Sequence, residues 1–173
     1  MNENAQNQVT EWYQKYSNDI YQYILFMTGD HERSKDMMQE TFLRAYDHLS
    51  SFQGNNAKGW LFRIARNITI DSLRKEKPIA YLFDQNTYVV SNNVSPEKIT
   101  ILNEVERELY HALGQLKMSY RDVIVLRKIK GFSIQESSNI LGWKESKVKS
   151  TLLRALKALK RQLEKEGYNH ETI

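Results

Sequence analysis

The chain has 173 residues, of which 27% are charged, and it carries a formal net charge of +4 without a single cysteine. The lack of cysteine excludes a disulfide framework, a thiolate metal site and a cysteine nucleophile. No stretch approaches the roughly 18 uncharged apolar residues of a membrane-spanning helix, and no basic-then-apolar export signal opens the chain. We therefore expect a soluble intracellular protein of one or two small domains.

The charge is distributed in blocks along the chain. Residues 1–57 carry 4 Lys/Arg against 8 Asp/Glu, whereas residues 58–77 carry 6 against 2. Residues 78–95 hold a single acidic residue, and residues 96–173 carry 15 basic residues against 10 acidic ones. Two basic blocks separated by a weakly acidic one favour two separate contacts with a polyanion over a single contact spread along the whole chain.

Two amphipathic helices are predicted at the beginning of the chain. Apolar residues recur at spacings of three and four over residues 9–27 and again over residues 37–49. Gly29 is expected to end the first helix in a left-handed conformation, and Asp30 is expected to cap the second. The acidic residues of the second helix lie largely off its apolar face, without a histidine at ligand spacing. They therefore favour a solvated or partner-binding surface over a metal site.

Residues 59–77, GWLFRIARNITIDSLRKEK, form the third predicted helix, which follows a loop rich in Ser, Gly and Asn. Apolar residues occupy one side of this helix and basic residues the other, with Trp60 between them. The basic side is interrupted by Phe62, Ile70 and Leu73. This pattern fits a solvated charged face, but it also fits an interface for single-stranded or opened nucleic acid. The combination favours nucleic acid, because arginines pair with phosphates and a neighbouring aromatic ring can stack an unpaired base.

Helical periodicity is lost over residues 78–95, which we predict to be a linker between domains at residues 1–77 and 96–173. Pro78 cannot extend the preceding helix, and the sequence Ser-Pro-Glu from Ser95 is a helix start signal. The linker is too apolar to flex freely, so part of it should lie against another surface. We predict an all-α fold of two small helical domains.

The second domain contains the pattern of a helix-turn-helix. Ser133 and Glu136 have the spacing of a capping box, and Gly142 permits a sharp turn before a long basic helix. Residues 144–165 hold 8 Lys/Arg against 2 acidic residues. Two helices around a glycine turn, the second strongly basic, are typical of this DNA-binding motif, although a lysine-rich solvated helix is the alternative. The side opposite the leucine stripe would face the major groove and holds Lys147, Ser150, Arg154 and Lys157.

Three blocks stand in order over roughly residues 10–165: DMMQETFLRAYDHL, GWLFRIARNITIDSLRK and LKMSYRDVIVLRKIKGFSIQESSNILGWKESKVKSTLLRALKALK. Together they resemble the bacterial sigma-70 family and, more narrowly, its two-domain extracytoplasmic-function (ECF) sigma factors. The resemblance implies a cytoplasmic factor that directs core RNA polymerase to specific promoters and helps to melt the −10 region. The implied partners are the polymerase core, through its β′ clamp helices and β subunit, promoter DNA, and a cognate anti-sigma factor that could hold the protein at the inner face of the membrane. No catalytic residue, cofactor, metal or small-molecule substrate is predicted.

The resemblance also implies a role for each predicted surface. The polymerase face, which would dock on the clamp helices, comprises Asp36, Gln39, Glu40 and Leu43. The −10 surface, which would melt and hold the non-template strand, comprises Phe52, Gln53, Asn55, Asn56, Lys58, Trp60, Arg63, Arg66, Asn67 and Arg74. Its arginines would hold phosphates, its loop would receive a flipped base, and Trp60 would pack beneath that base. The recognition face, which would read the −35 element, comprises Lys147, Lys149, Ser150, Leu153, Arg154 and Lys157.

Several positions depart from the pattern of the family. These are Ser138, Trp143, Lys144 and Thr151. Lys144 stands where a capping Ser or Thr is expected, which moves the expected cap of the final helix to Ser146.

Two other classes of function are open. A stand-alone helix-turn-helix regulator with an N-terminal sensing domain would need a concave polar pocket in residues 1–77, and no compact set of polar residues there suggests one. An enzyme would need a nucleophile motif or a glycine-rich phosphate loop, and the four histidines of the chain are scattered.

Overall fold

Residues 2–76 and 104–167 are described here from a computed structural model of the chain. The N-terminal unit consists of α1 (Glu3–Thr28), α2 (His31–Asp47), a short 3-10 turn (Leu49–Ser51) and α3 (Ala57–Glu76). The C-terminal unit consists of α4 (Glu104–Gly114), α5 (Met118–Ile124) with a π-helical continuation (Val125–Ile129), α6 (Ile134–Leu141) and α7 (Glu145–Lys165). The predicted all-α fold is confirmed, whereas the predicted linker and the helix start at Pro96 lie outside the described residues. Within the described ranges, no helix combines the length and the apolarity that a membrane span requires.

The junction between α1 and α2 has the two signals predicted from the sequence. Gly29 adopts the left-handed conformation with φ of 69°, and its N–H donates to the carbonyl oxygen of Leu25. Asp30 caps α2, because its side chain accepts a hydrogen bond from the backbone N–H of Arg33 at 3.1 Å. These caps turn α2 back along α1, and α3 packs against both helices. The N-terminal unit is therefore a three-helix bundle.

The helix-turn-helix is formed by α6, the turn and α7. The predicted capping box is present, with Ser133 and Glu136 each hydrogen-bonded to the backbone N–H of the other at 3.0 Å. Gly142 makes the turn with φ of 70°. Both local predictions are confirmed.

The predicted cap at Ser146 is wrong. The residue that precedes α7 is Lys144, which has an extended backbone and no side-chain hydrogen bond to the helix. Ser138 closes the turn instead, because its hydroxyl donates to the carbonyl oxygen of Trp143. The helix thus begins two residues earlier than a cap at Ser146 would allow, and the serine that departs from the family pattern holds the turn.

The two units pack directly against each other and share one hydrophobic core. The ring of Phe62 on α3 meets that of Phe132 edge to face, with centroids 4.9 Å apart. Tyr110 donates to the carbonyl oxygen of Leu25 at 3.0 Å, and the fully buried Arg121 donates to that of Met27 at 2.6 Å. Phe62 interrupts the basic side of α3 because it is part of this contact.

Candidate nucleic-acid interface

The polymerase face lies along one side of α2. Asp36, Gln39 and Leu43 are exposed, and 67% of the leucine surface is open to solvent. Glu40 is partly buried and pairs with Arg44 at 2.5 Å. Spacings of three, four and seven residues place the four predicted side chains on one surface, which combines acidic charge with an exposed aliphatic group. Across the described residues, no three carboxylate or imidazole side chains converge as metal ligands.

An aromatic cluster lies at the start of α3, where the −10 surface was predicted. Trp60 contacts Phe52 with ring centroids 5.1 Å apart and Trp12 with centroids 6.0 Å apart. Phe52 and Trp12 also meet edge to face at 5.2 Å. Trp12 is buried in the core, whereas Phe52 and Trp60 are partly exposed. These contacts hold the ring of Trp60 in place next to the exposed loop that carries Gln53 and Asn55.

Asn56 caps α3. Its Oδ1 accepts from the backbone N–H of Gly59 at 2.9 Å, and its Nδ2 donates to Glu136 Oε2 in the C-terminal unit at 3.1 Å. A Cβ atom at Gly59 would approach Asn56 Nδ2 to 2.7 Å, so a larger residue there would push the capping side chain of Asn56 out of its position. Asn56, predicted as a nucleic-acid contact, is therefore also a helix cap, and one N–H of its side-chain amide is hydrogen-bonded to the C-terminal unit.

The basic residues of the −10 surface are in different environments. Arg63, Asn67 and Arg74 are exposed on α3. Arg66 is only 17% exposed in its side chain, and its Nε donates to Asp122 Oδ2 at 3.0 Å. Lys58 lies over the ring of Phe132 and 3.5 Å from Asp19 Oδ2. The sequence predicted one basic row, and the structure divides it into an open part and a part covered by the C-terminal unit.

Two clefts flank this surface. One, of about 310 Å³, is lined by residues from α2, from the junction and 3-10 turn that follow it, and from α3: Arg44, His48, Ser51, Trp60, Arg63, Ile64 and Asn67. The other, of about 440 Å³, lies over the loop and is closed on one side by α6, through Glu136, Asn139 and Ile140. The first cleft offers two guanidinium groups beside an aromatic ring. The second could receive a base only from the side that α6 leaves open.

Asp122 is a residue that the sequence analysis missed. It is 1% exposed and accepts a hydrogen bond from the hydroxyl of the fully buried Tyr23 at 2.8 Å, in addition to its pair with Arg66. Burial, followed by the charge of Asp122, raises the pKa of Tyr23 well above its ordinary value. The signal in the sequence was the pair Arg121–Asp122 at the head of the apolar run Val123–Leu126. Two adjacent charged residues in a core helix usually require partners.

The recognition face of α7 is open. The six side chains predicted to read the −35 element are all exposed: Lys147, Lys149, Ser150, Leu153, Arg154 and Lys157. Leu153 is the most apolar of them and is 60% exposed. On the opposite side, Val148, Ala155, Leu159 and Leu163 are buried together with Thr151. Thr151, where the family often has arginine, is thus a core position in this chain.

Comparison with known proteins identifies the family of the chain. Residues 12–79 match the family model of sigma-70 region 2, and residues 106–159 match that of sigma-70 region 4. The chain is 37% identical to the ECF RNA polymerase sigma factor SigX of Bacillus subtilis (strain 168) over 158 residues. The aligned region covers 88% of this chain and 81% of SigX. The chain belongs to the ECF sigma factor family. SigM, an ECF RNA polymerase sigma factor of the same strain, is 36% identical to this sigma factor over 94% of the chain and 99% of SigM.

Solved structures show the same fold. The sigma factor RpoE in complex with the anti-sigma factor NepR, from Bartonella quintana, matches with a TM-score of 0.73 and 24% identity, covering 90% of this chain and 96% of that one. CnrH in complex with the cytosolic domain of CnrY matches with a TM-score of 0.71 and 23% identity, covering 94% and 91%. The predicted family and fold class are confirmed. The roles of single residues in this ECF sigma factor stay predictions.

Proposed function

We propose that this ECF sigma factor works as a two-domain adaptor, in which residues 1–77 bind the polymerase core and the −10 element and residues 96–173 bind the −35 element. Residues 78–95 would connect the two domains along the polymerase. The protein acts by binding, in the cytoplasm and without a catalytic step of its own, and a cognate anti-sigma factor is its expected regulator. The observation that carries the proposal is the exposure of the recognition face and the polymerase face on two separate helices.

At the −35 element, α7 has the features needed to enter the major groove. Arg154 can donate two hydrogen bonds to a guanine, and Leu153 can contact a thymine methyl group. Lys147, Lys149 and Lys157 flank these residues on the exposed side and can neutralise phosphates. Because the leucine stripe and Thr151 fix the opposite side of α7 in the core, the helix can present this face without rearrangement of the domain.

At the −10 element, the aromatic cluster and the exposed basic residues suit a melted strand. Trp60 and Phe52 offer partly exposed ring surface, on which an unpaired base can stack. Arg63 and Asn67 line the adjacent cleft with Arg44, so that phosphates on either side of the base would meet guanidinium groups. A duplex offers no unstacked base, and this surface therefore favours the strand that melting releases.

Binding of the polymerase face to core polymerase would position the −10 and −35 contacts on a promoter. Asp36 and Glu40 lie on the outside of α2 and have no role in the core of the bundle, so a partner with basic groups is their expected target. Docking would cover acidic charge that otherwise repels DNA. It would also hold both DNA-binding domains at promoter spacing, which converts two weak contacts into one avid contact.

The test is a titration of the fluorescently labelled protein with core RNA polymerase. The double variant Asp36→Lys/Glu40→Lys should bind core at least about tenfold more weakly, since charge reversal at an interface costs several kcal/mol. Glu11→Lys, the same reversal at an exposed position of α1, serves as the matched control. Unchanged core affinity in a double variant with a normal melting curve would refute the assignment of this face. A stand-alone regulator, which the family does not favour, would bind its DNA equally well without core.

A further inference from the structure

Two of the positions that depart from the family pattern, Ser138 and Trp143, hold the turn before the recognition helix. The hydroxyl of Ser138 donates to the carbonyl oxygen of Trp143 at 2.5 Å, and the carbonyl oxygen of Ser138 accepts from the backbone N–H of Trp143 at 3.2 Å. The side chain of Trp143 is partly buried and packs against the hydrophobic core. The backbone and the ring of Trp143 are therefore both fixed just before α7 begins.

The ring of Trp143 has a cation above it. The ammonium group of Lys147, the third residue of α7, lies 4.3 Å from the ring centroid. This distance is within the roughly 6 Å over which a ring face attracts a cation, and tryptophan is the best of the aromatic residues for this contact. An aliphatic side chain in place of Trp143 would offer no such face. Both residues belong to the C-terminal unit, so the contact does not depend on how the two units pack.

Lys147 is also the first member of the recognition face, and its side chain is exposed. An ammonium group has three N–H donors, so the side turned away from the ring can still bind an anion. A free lysine side chain samples many rotamers and loses this freedom when it binds a phosphate. A ring that already holds the ammonium in one place reduces that loss, which is the general effect of preorganisation on affinity.

We propose that Trp143 is a positioning residue for the −35 contact, which holds the Lys147 ammonium ready to bind a backbone phosphate at the N-terminal end of α7. The proposal rests on the proposed function, since the contact affects DNA only if α7 binds the −35 element. Phosphate contacts fix the register of a protein on the duplex and carry no base information of their own. Trp143 therefore sets how tightly α7 binds in the groove, whereas Arg154 sets which sequence it prefers.

The first experiment detects the contact in the full chain without DNA. The ring current of an aromatic side chain shifts protons above its face upfield, so the methylene protons beside the Lys147 ammonium should resonate upfield of those of Lys149. Lys149 is the matched control, because residues two apart do not share a side of a helix. Trp143→Leu should abolish the difference, and Trp143→Phe should keep part of it. Equal shifts for the two lysines in the parent protein would overturn the proposal.

The second experiment measures DNA binding by core RNA polymerase loaded with the full chain. The probe is a labelled duplex that carries the −35 element of a start site mapped with core and ends upstream of the −10 region. Trp143→Leu should weaken binding about two- to fivefold, the range expected for an exposed cation–π contact, and Trp143→Phe should lose less. The loss should be equal for matched and substituted −35 elements, as for a phosphate contact. Unchanged affinity in Trp143→Leu would refute the positioning role.

A double-mutant cycle separates positioning from a merely structural role. Trp143→Leu should cause no further loss in a Lys147→Ala background but its full loss in a Lys149→Ala background. Lys147→Ala should also lower the slope of log affinity against log salt by about 0.9, the value for one phosphate, whereas Trp143→Leu should leave that slope unchanged.

Equal losses in the two backgrounds would show that Trp143 acts through the turn or through a DNA contact of its own, and either result contradicts the proposal. Failure of the proposed function gives a different result. Parent holoenzyme would then bind matched and substituted −35 duplexes equally, whatever the chemical shifts of Lys147 show.

Discussion

Replacement of Tyr23 by phenylalanine isolates the energy of one contact between the two units. The side chain is fully buried, and its hydroxyl donates to the carboxylate of Asp122 at 2.8 Å. Phenylalanine keeps the ring and its packing against Phe62, so the change removes a hydrogen bond without creating a large cavity. A hydrogen bond to a charged group contributes about 1.5–3 kcal/mol, and after its loss the buried carboxylate keeps its ion pair with Arg66. We therefore expect the free energy of unfolding to fall by about 2 kcal/mol.

The assay is urea unfolding of the full chain, combined with a double-mutant cycle between Tyr23→Phe and Asp122→Asn. The two changes should be non-additive by about 1 kcal/mol or more, because they act on one hydrogen bond. Tyr13→Phe, the same loss of a hydroxyl at an exposed position of α1, should change stability by less than about 0.5 kcal/mol. A loss below about 0.5 kcal/mol for Tyr23→Phe, or full additivity with Asp122→Asn, would refute the view that this contact joins the units.

Three further predictions concern the C-terminal unit. Arg154→Ala should lower transcription from promoters with a matched −35 element, because the lost base contact is worth roughly 1–3 kcal/mol of discrimination between matched and substituted −35 elements. Lys165→Ala, which lies beyond the expected groove contact, should have little effect. Both variants are compared on promoters with matched and with substituted −35 elements. The backbone N–H of Ser133 holds the pKa of Glu136 below its ordinary value of 4.5, so the capping contact stabilises the fold above that pH and is lost on acidification. Glu136→Gln should accordingly flatten the fall in unfolding free energy below pH 4.5, as measured by urea unfolding. Gly142→Ala should lower stability by about 1–2 kcal/mol in thermal unfolding, because φ is 70° and no atom lies within 4 Å of the added methyl group to compensate.

The local features of the fold could be predicted from the sequence because they depend on a few adjacent residues. The left-handed Gly29, the cap at Asp30 and the capping box at Ser133 each need only a short pattern, and all are present. Four residues of the recognition face followed from the 3.6-residue period of α7: Lys147, Ser150, Arg154 and Lys157. Its other two residues, Lys149 and Leu153, were implied by the family resemblance. The cap at Ser146 was predicted wrongly because Lys144 can precede a helix with no side-chain hydrogen bond when the turn is held elsewhere.

The contact between the units could not be predicted in the same way. Periodicity within α3 shows that Phe62 breaks the basic side, but not that Phe132, seventy residues later in the chain, packs against it. Likewise, the spacing of Arg66 fits a phosphate contact, and only the fold reveals Asp122 beside it. Patterns within one helix report which side chains share a face, whereas the partner of that face depends on the tertiary arrangement.

The most direct measurement of the central claim is transcription by core RNA polymerase with and without this protein, with the 5′ ends of the transcripts mapped by sequencing. We predict discrete start sites that appear only with the protein, that share −10 and −35 sequences at fixed spacing, and that disappear with Asp36→Lys/Glu40→Lys. Start sites that are the same with and without the protein, or that lack a common upstream sequence, would contradict the assignment of this chain as a promoter-specific sigma factor.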